Sequence, residues 1–188
     1  MRINGNAIRP GNIIEHKGGL WQAVKIQHTQ PGKGGAYLQV ELKNLRDGTK
    51  LNERFRAAEN VEKVRLDEKQ YQFLYAEDNL LHFMETETYE QITLERKLVG
   101  DQAVFLQDGV MATVKSHEGE ALTVEIAETV ILEVTETEAV IKGQTAAGSF
   151  KPAILENGVR TMVPPHIETG TRVVIATADS AYRERARD

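Results

Sequence analysis

Apolar and polar side chains alternate with period two along much of this 188-residue chain, and that leaves few architectures open. In "AYLQVEL", Ala36, Leu38, Val40 and Leu42 fall on one face, with Tyr37, Gln39 and Glu41 on the other. Successive side chains of a strand point to opposite faces, so this is the pattern of a half-buried strand. "QYQFLY" alternates through Tyr71, Phe73 and Tyr75, and "GVMATVK" through Val110, Ala112 and Val114. "ALTVEIA" does so through Leu122, Val124 and Ile126, and "TVILEVTE" through Val130, Leu132 and Val134. Turn signals such as Asp47-Gly48, Asp108-Gly109, Glu118-Gly119 and Asn157-Gly158 fall between the runs. Short strands punctuated this often predict an all-β protein built of barrels or sandwiches. One stretch departs from the pattern. "QITLERKLVG" (91–100) sets Ile92, Leu94 and Leu98 roughly on one helical face before Gly100, and predicts a helix that stops there.

Charge is distributed unevenly. Residues 1–65 hold twelve Lys and Arg against six Asp and Glu, whereas 66–128 hold four against fourteen. Residues 129–188 hold seven against eight. A basic first third suggests that one end meets a polyanion, although small domains also scatter charge by chance. The charge shift and the strand groups place domain boundaries near Arg65 and Glu128, giving 1–65, 66–128 and 129–188. Each piece is about 60 residues, small but sufficient for a compact barrel.

Cysteine is absent, which removes disulfides, zinc knuckles and cysteine nucleophiles together and fits a reducing compartment. The opening "MRINGNAIRPG" lacks the apolar run of a signal peptide, and no segment approaches the roughly 18 apolar residues of a membrane helix. A cytoplasmic protein without membrane contact is expected. His16, His28, His82, His117 and His166 are far apart and show no metal-ligand spacing, so no metal site is expected. His82 in "NLLHFM" reads as a half-buried strand residue. The Glu and Thr alternation in "METETYE" and "EVTETE" reads as a solvated face rather than a catalytic carboxylate pair. No Gly-x-Ser-x-Gly elbow occurs, and the glycine cluster around Lys33 lacks the spacing of a phosphate loop. No residue stands out as catalytic.

"QPGKGGAY" (30–37) joins two predicted strands and is a hairpin connection. Pro31 fixes one φ, and Gly32, Gly34 and Gly35 have access to positive φ without steric cost. A lysine among them projects outward from a tip narrow enough for a channel, and its ammonium is an attachment point for modifying enzymes. The plainer alternative is a tight turn with a solvated lysine. The surrounding third carries Lys25, Lys43, Arg46, Lys50, Arg54, Arg56, Lys63 and Arg65, and "RFR" puts Arg54 and Arg56 opposite Phe55. Such a surface can lie along RNA phosphates with affinity that falls as salt rises. With few aromatics for stacking, recognition of shape and backbone is expected over reading of single-strand sequence.

Four stretches in order resemble the bacterial elongation factor P family over essentially the full length. They are "RPGNIIEHKGGLWQAV" (9–24), "PGKGGAYLQVELKNLRDGTK" (31–50), "HFMETETYEQI" (82–92) and "KPAILENGVRTMVP" (151–164). The resemblance implies an SH3-like first domain and two OB-fold domains, in an L shape similar to transfer RNA. It implies a non-enzymatic, monomeric translation factor that binds ribosomal RNA and proteins between the peptidyl and exit sites, beside peptidyl-tRNA. It further implies relief of stalling at consecutive prolines. The position matching the family's loop lysine is Lys33, which implies a covalent adduct such as a β-lysyl type, a lysine-modifying enzyme as partner, and no other cofactor. Pro31, Gly32, Gly34 and Gly35 match the loop, and Lys25, Lys43, Arg54 and Arg56 are first-domain candidates for RNA contact.

Three departures concern the last third. The family's Gly-Asp-Thr appears as Gly143-Gln144-Thr145, which keeps a hydrogen-bonding amide and loses a carboxylate. "VPLFI" appears as Val163-Pro164-Pro165-His166-Ile167. The tail keeps Tyr182 and Arg185 but not the acidic residue before the tyrosine. The competing reading is a generic RNA-binding barrel that does not act at the peptidyl-transferase centre.

Overall fold

The computed structural model describes residues 1–140 and 149–187, which form sixteen strands in three separate sheets. The first sheet contains β1 (Arg2–Asn4), β2 (Ile13–His16), β3 (Gly19–Thr29), β4 (Tyr37–Asn44), β5 (Lys50–Arg56) and β6 (Asn60–Val64), in the order β1-β6-β2-β3-β4-β5. Its ends close on each other. The 3-10 turn Gly5–Ala7 after β1 hydrogen-bonds to the chain just beyond β5, Gly5 N–H to the Glu59 carbonyl at 2.7 Å and Asn6 N–H to that of Ala57 at 3.2 Å. Ile8, Ile14, Leu38, Val40, Leu42 and Phe55 fill the interior. Alternation makes this core: β4 buries Leu38, Val40 and Leu42 while Tyr37, Gln39 and Glu41 stay on the outer face.

The second sheet contains β7 (Asp67–Glu77), β8 (Leu80–Glu85), β9 (Gln91–Glu95), β10 (Met111–His117) and β11 (Glu120–Ile126), in the order β11-β10-β7-β8-β9. The third contains β12 (Thr129–Thr137), β13 (Lys151–Leu155), β14 (Arg160–Val163), β15 (Arg172–Ala176) and β16 (Tyr182–Arg185), in the order β14-β13-β12-β15-β16. The Thr161 hydroxyl, just inside β14, donates to the Ser180 carbonyl before β16 at 2.6 Å, joining the two edges. Val130, Leu132 and Val134 are buried along β12, as their alternation requires. The chain divides into two compact units, Met1–Glu68 with Lys115–Thr123, and Lys69–Val114 with Val124–Asp188. Among the described residues no helix is long and apolar enough to cross a membrane.

The all-β expectation holds, with two local corrections. The stretch 91–100 is not one helix. Gln91–Glu95 is β9, and only Arg96–Val99 (α1) is helical, ending at Gly100 with φ 76°. Ile92 and Leu94 are two apart as well as near one helical face, and pairing of Ile92 with Phe83 and Leu94 with Leu81 decides for strand. In β7, Tyr71 and Phe73 are buried, but a bulge between Phe73 and Tyr75 turns Tyr75 outward.

Candidate functional site

The lysine loop is the end of a long hairpin. β3 and β4 pair antiparallel from Trp21 opposite Asn44 to Thr29 opposite Tyr37, which leaves 30–36 as the connection. Its far end is held where the Ala36 carbonyl accepts from Ala57 N–H at 3.0 Å. Lys33 is exposed and makes no hydrogen bond or ion pair among the described residues. Only Gly34 takes positive φ, at 123°, so the turn uses one of the three glycines to which the sequence offered that freedom. A Cβ added at Gly32 or Gly35 meets nothing within 4 Å. Neither turning nor internal packing therefore calls for those two glycines. Their effect is a tip without shoulders.

Below the tip, register assembles a basic face. Across β3, β4 and β5 the outer rows are Thr29–Tyr37–Arg56, Gln27–Gln39–Arg54, Lys25–Glu41–Asn52 and Gln22–Lys43–Lys50. From Tyr37 to Lys43 this face runs about 20 Å. All four first-domain candidates, Lys25, Lys43, Arg54 and Arg56, lie exposed on it, as does Lys50. Lys25 reaches it through a bulge between Ala23 and Lys25, which leaves Val24 unpaired and brings Lys25 opposite Glu41. Sequence reading passed over two features of this face. The Arg54 guanidinium carbon stands 4.1 Å from the Tyr37 ring centroid, and Glu41 sits among the cations with the Lys50 Nζ 3.7 Å from its carboxylate.

Besides Lys50, two more cations of the basic third are engaged in ion pairs. Arg46 contacts Glu120 at 2.6 Å and Lys17 contacts Glu53 at 2.8 Å. The Lys17 hydrogen bond, helped by the charges of Lys17 and His16, holds the Glu53 carboxyl below its ordinary value. Tyr182 and Arg185 belong to the other compact unit. Arg185 is exposed, while Tyr182 is half-buried opposite Ile175, and burial followed by the Glu184 charge raises its phenol. Gly143, Gln144 and Thr145 lie outside the described residues. Among the described residues no cluster of His, Asp or Glu is placed to hold a metal ion.

Three family models match in succession: the elongation factor P KOW-like domain over 4–61, the elongation factor P OB domain over 66–124, and the elongation factor P C-terminal domain over 130–185. The chain belongs to the elongation factor P family. Elongation factor P of Parvibaculum lavamentivorans is 64% identical, and that of Brucella canis 59%, each over 99% of this chain and 100% of the relative. Among solved structures, the eukaryotic translation initiation factor 5A from Methanococcus jannaschii superposes with a TM-score of 0.56, covering 68% of this chain and 92% of that one. A Naegleria fowleri protein of the same initiation-factor family gives 0.52, covering 67% and 96%. At 22% and 15% identity these two likenesses concern the fold. Membership in the elongation factor P family makes this chain a translation elongation factor.

Proposed function

We propose that this elongation factor P binds the ribosome between the peptidyl and exit sites, extends Lys33 toward the acceptor end of peptidyl-tRNA, and speeds peptide-bond formation where consecutive prolines stall it. The observation that carries the reading is the free Lys33 ammonium at a shoulderless tip, directly above the face bearing Arg54 and Arg56. Proline restricts how donor and acceptor align, because its φ is fixed. A factor that limits the freedom of peptidyl-tRNA helps by positioning, while the ribosome performs the chemistry. The basic face suits tRNA or ribosomal RNA phosphates, and a long cation at the tip suits the crowded acceptor end. In this reading the chain acts as a monomer in the cytoplasm with domains 1–65, 66–128 and 129–188. Gly143, Gln144, Thr145, Tyr182 and Arg185 add RNA contacts from the last domain.

A barrel that only coats RNA would use the same basic face, so the decisive assay is synthesis through a proline run. A reporter with consecutive prolines is expected to be completed in the presence of the factor and to stall in its absence. Equal yields would remove the proposal. Arg54→Glu is expected to weaken ribosome binding and to lower the slope of log affinity against log salt by about 1, as loss of one phosphate contact does. An unchanged slope would take Arg54 off the RNA-facing surface.

Lys33 is also the proposed site of covalent extension by a lysine-modifying enzyme. Intact-mass measurement of the chain from its native cell is expected to exceed the sequence mass, with the increment on the peptide containing Lys33. An unmodified mass would mean that the lysine works at its own length.

A further inference from the structure

The outer face of β7, β8 and β9 displays side chains that the lysine loop and the basic face do not use. Alternation from Tyr71 and Phe73 would place Tyr75 inside, but the bulge turns it out to 54% exposure. Its ring stacks on His82, directly opposite, at 4.3 Å between centroids with 21° between planes. His82 is fixed in turn: Nδ1 lies 3.0 Å from the Thr93 hydroxyl and Nε2 lies 3.5 Å from a Glu77 carboxylate oxygen. Glu77 follows Tyr75 on the same face, about 7 Å along the strand. Opposite Glu77 is Leu80, 41% exposed. A rigid aromatic ring, a carboxylate and an apolar surface thus adjoin on two neighbouring rows.

The charge around them has one sign left over. The four cations of 66–128 are occupied: Lys97 lies 2.8 Å from Glu95, Lys115 3.4 Å from Glu68, Lys69 4.0 Å from Glu85, and Arg96 reaches the Asp78 carbonyl at 3.5 Å. Glu77, with its side chain 67% exposed, meets no lysine or arginine among the described residues.

We infer that this patch receives an arginine side chain presented by a partner protein. The guanidinium plane stacks on the Tyr75 ring, its N–H donors reach the Glu77 carboxylate, and its methylene stem covers Leu80. The pairing suits guanidinium better than ammonium, because the planar group stacks on an aromatic face and gives up its hydration readily. The same chain makes this contact internally, with Arg54 over Tyr37 at 4.1 Å. An RNA segment has a base to offer Tyr75, but it brings phosphates toward Glu77 and Asp78, and like charges in contact oppose docking. The partner surface is therefore basic protein, and the site works apart from the lysine loop.

The test is a backbone-amide NMR titration of the full chain, which needs no ribosome and so does not depend on the proposed function. The probes are acetyl-Arg-Gly-Arg-amide, its lysine counterpart, and hexauridylate. The arginine peptide is expected to shift the amides of Tyr75, Glu77, Leu80 and His82 saturably, and the lysine peptide to bind more weakly. Tyr75→Ala and Glu77→Gln, both on outward side chains, are each expected to weaken the arginine peptide about two- to fivefold. Unchanged amides at Phe73 and Phe83 will show that the barrel is intact. The inference is overturned if the arginine peptide causes no saturable shift up to its solubility limit. It also fails if binding survives both substitutions, or if hexauridylate shifts the same amides at lower concentration.

Discussion

Lys33→Ala is expected to remove rescue of a consecutive-proline reporter while leaving ribosome binding nearly intact. The substitution deletes the one long side chain on a tip whose neighbours are glycines, and nothing inside the protein rests on it. Stability should stay within about 0.5 kcal/mol, the usual range for an exposed position. Binding draws on the whole basic face, so losing one cation costs at most one phosphate contact in the salt slope. The rate at the proline step should fall at least tenfold, or about 1.4 kcal/mol, because orientation is lost where the barrier is crossed. Gly35→Ala makes a finer probe. Its Cβ meets nothing within 4 Å and its φ is not positive, so the protein itself is indifferent to it. If the tip enters a narrow channel, Gly35→Ala should lower rescue without lowering the melting temperature. Full rescue would mean that the channel is wider than the proposal requires.

Gly5→Ala should be the most damaging small substitution in the first barrel. A Cβ there would stand 2.2 Å from the Arg56 carbonyl oxygen and 3.2 Å from the Phe55 Cβ. The first obstacle is backbone and cannot swing aside. Gly5 is also tied at 2.7 Å to the Glu59 carbonyl, so the turn cannot move off without losing a hydrogen bond. Overpacking of this kind costs about 1–3 kcal/mol. For a domain of this size that lowers the melting temperature by roughly 4–8 °C per kcal/mol. The effect extends to the site, because the chain leaving Arg56 supplies the Ala57 N–H that holds Ala36 at the foot of the lysine loop. Thermal unfolding and the reporter assay should therefore decline together. A melting temperature equal to wild type would show that the turn relaxes around the added methyl group.

What the sequence made legible, and what it did not, follows from how locally each feature is encoded. β4 and β12 were readable because three consecutive inward positions are apolar and nothing interrupts them. The loop was readable because Pro31 and the glycines concentrate its signal within a few residues. The outward turns of Lys25 and Tyr75 were hidden, since each depends on a bulge that shifts the alternation by one. Ala23 and Ile26, three apart and both facing inward, are the trace that a bulge leaves in sequence. The short apolar run at Ile92 fits a helix or a strand until Phe83 and Leu81 are placed opposite. The basic face lay between these cases. "RFR" fixes Arg54 and Arg56 on one side, but only register brings Lys25 and Lys43 to the same side. Charge counting overstated the free cations, because Arg46 is matched by Glu120 far along the chain.

The central claim is that Lys33 acts on the positioning of peptidyl-tRNA rather than on binding of the factor. Its most direct test is the single-turnover rate of proline–proline bond formation on purified ribosomes, with the factor saturating. Wild-type chain should accelerate the step, and Lys33→Ala, bound to the same ribosomes to the same extent, should leave it at the rate without factor. Equal acceleration by the two proteins at saturation would contradict the account.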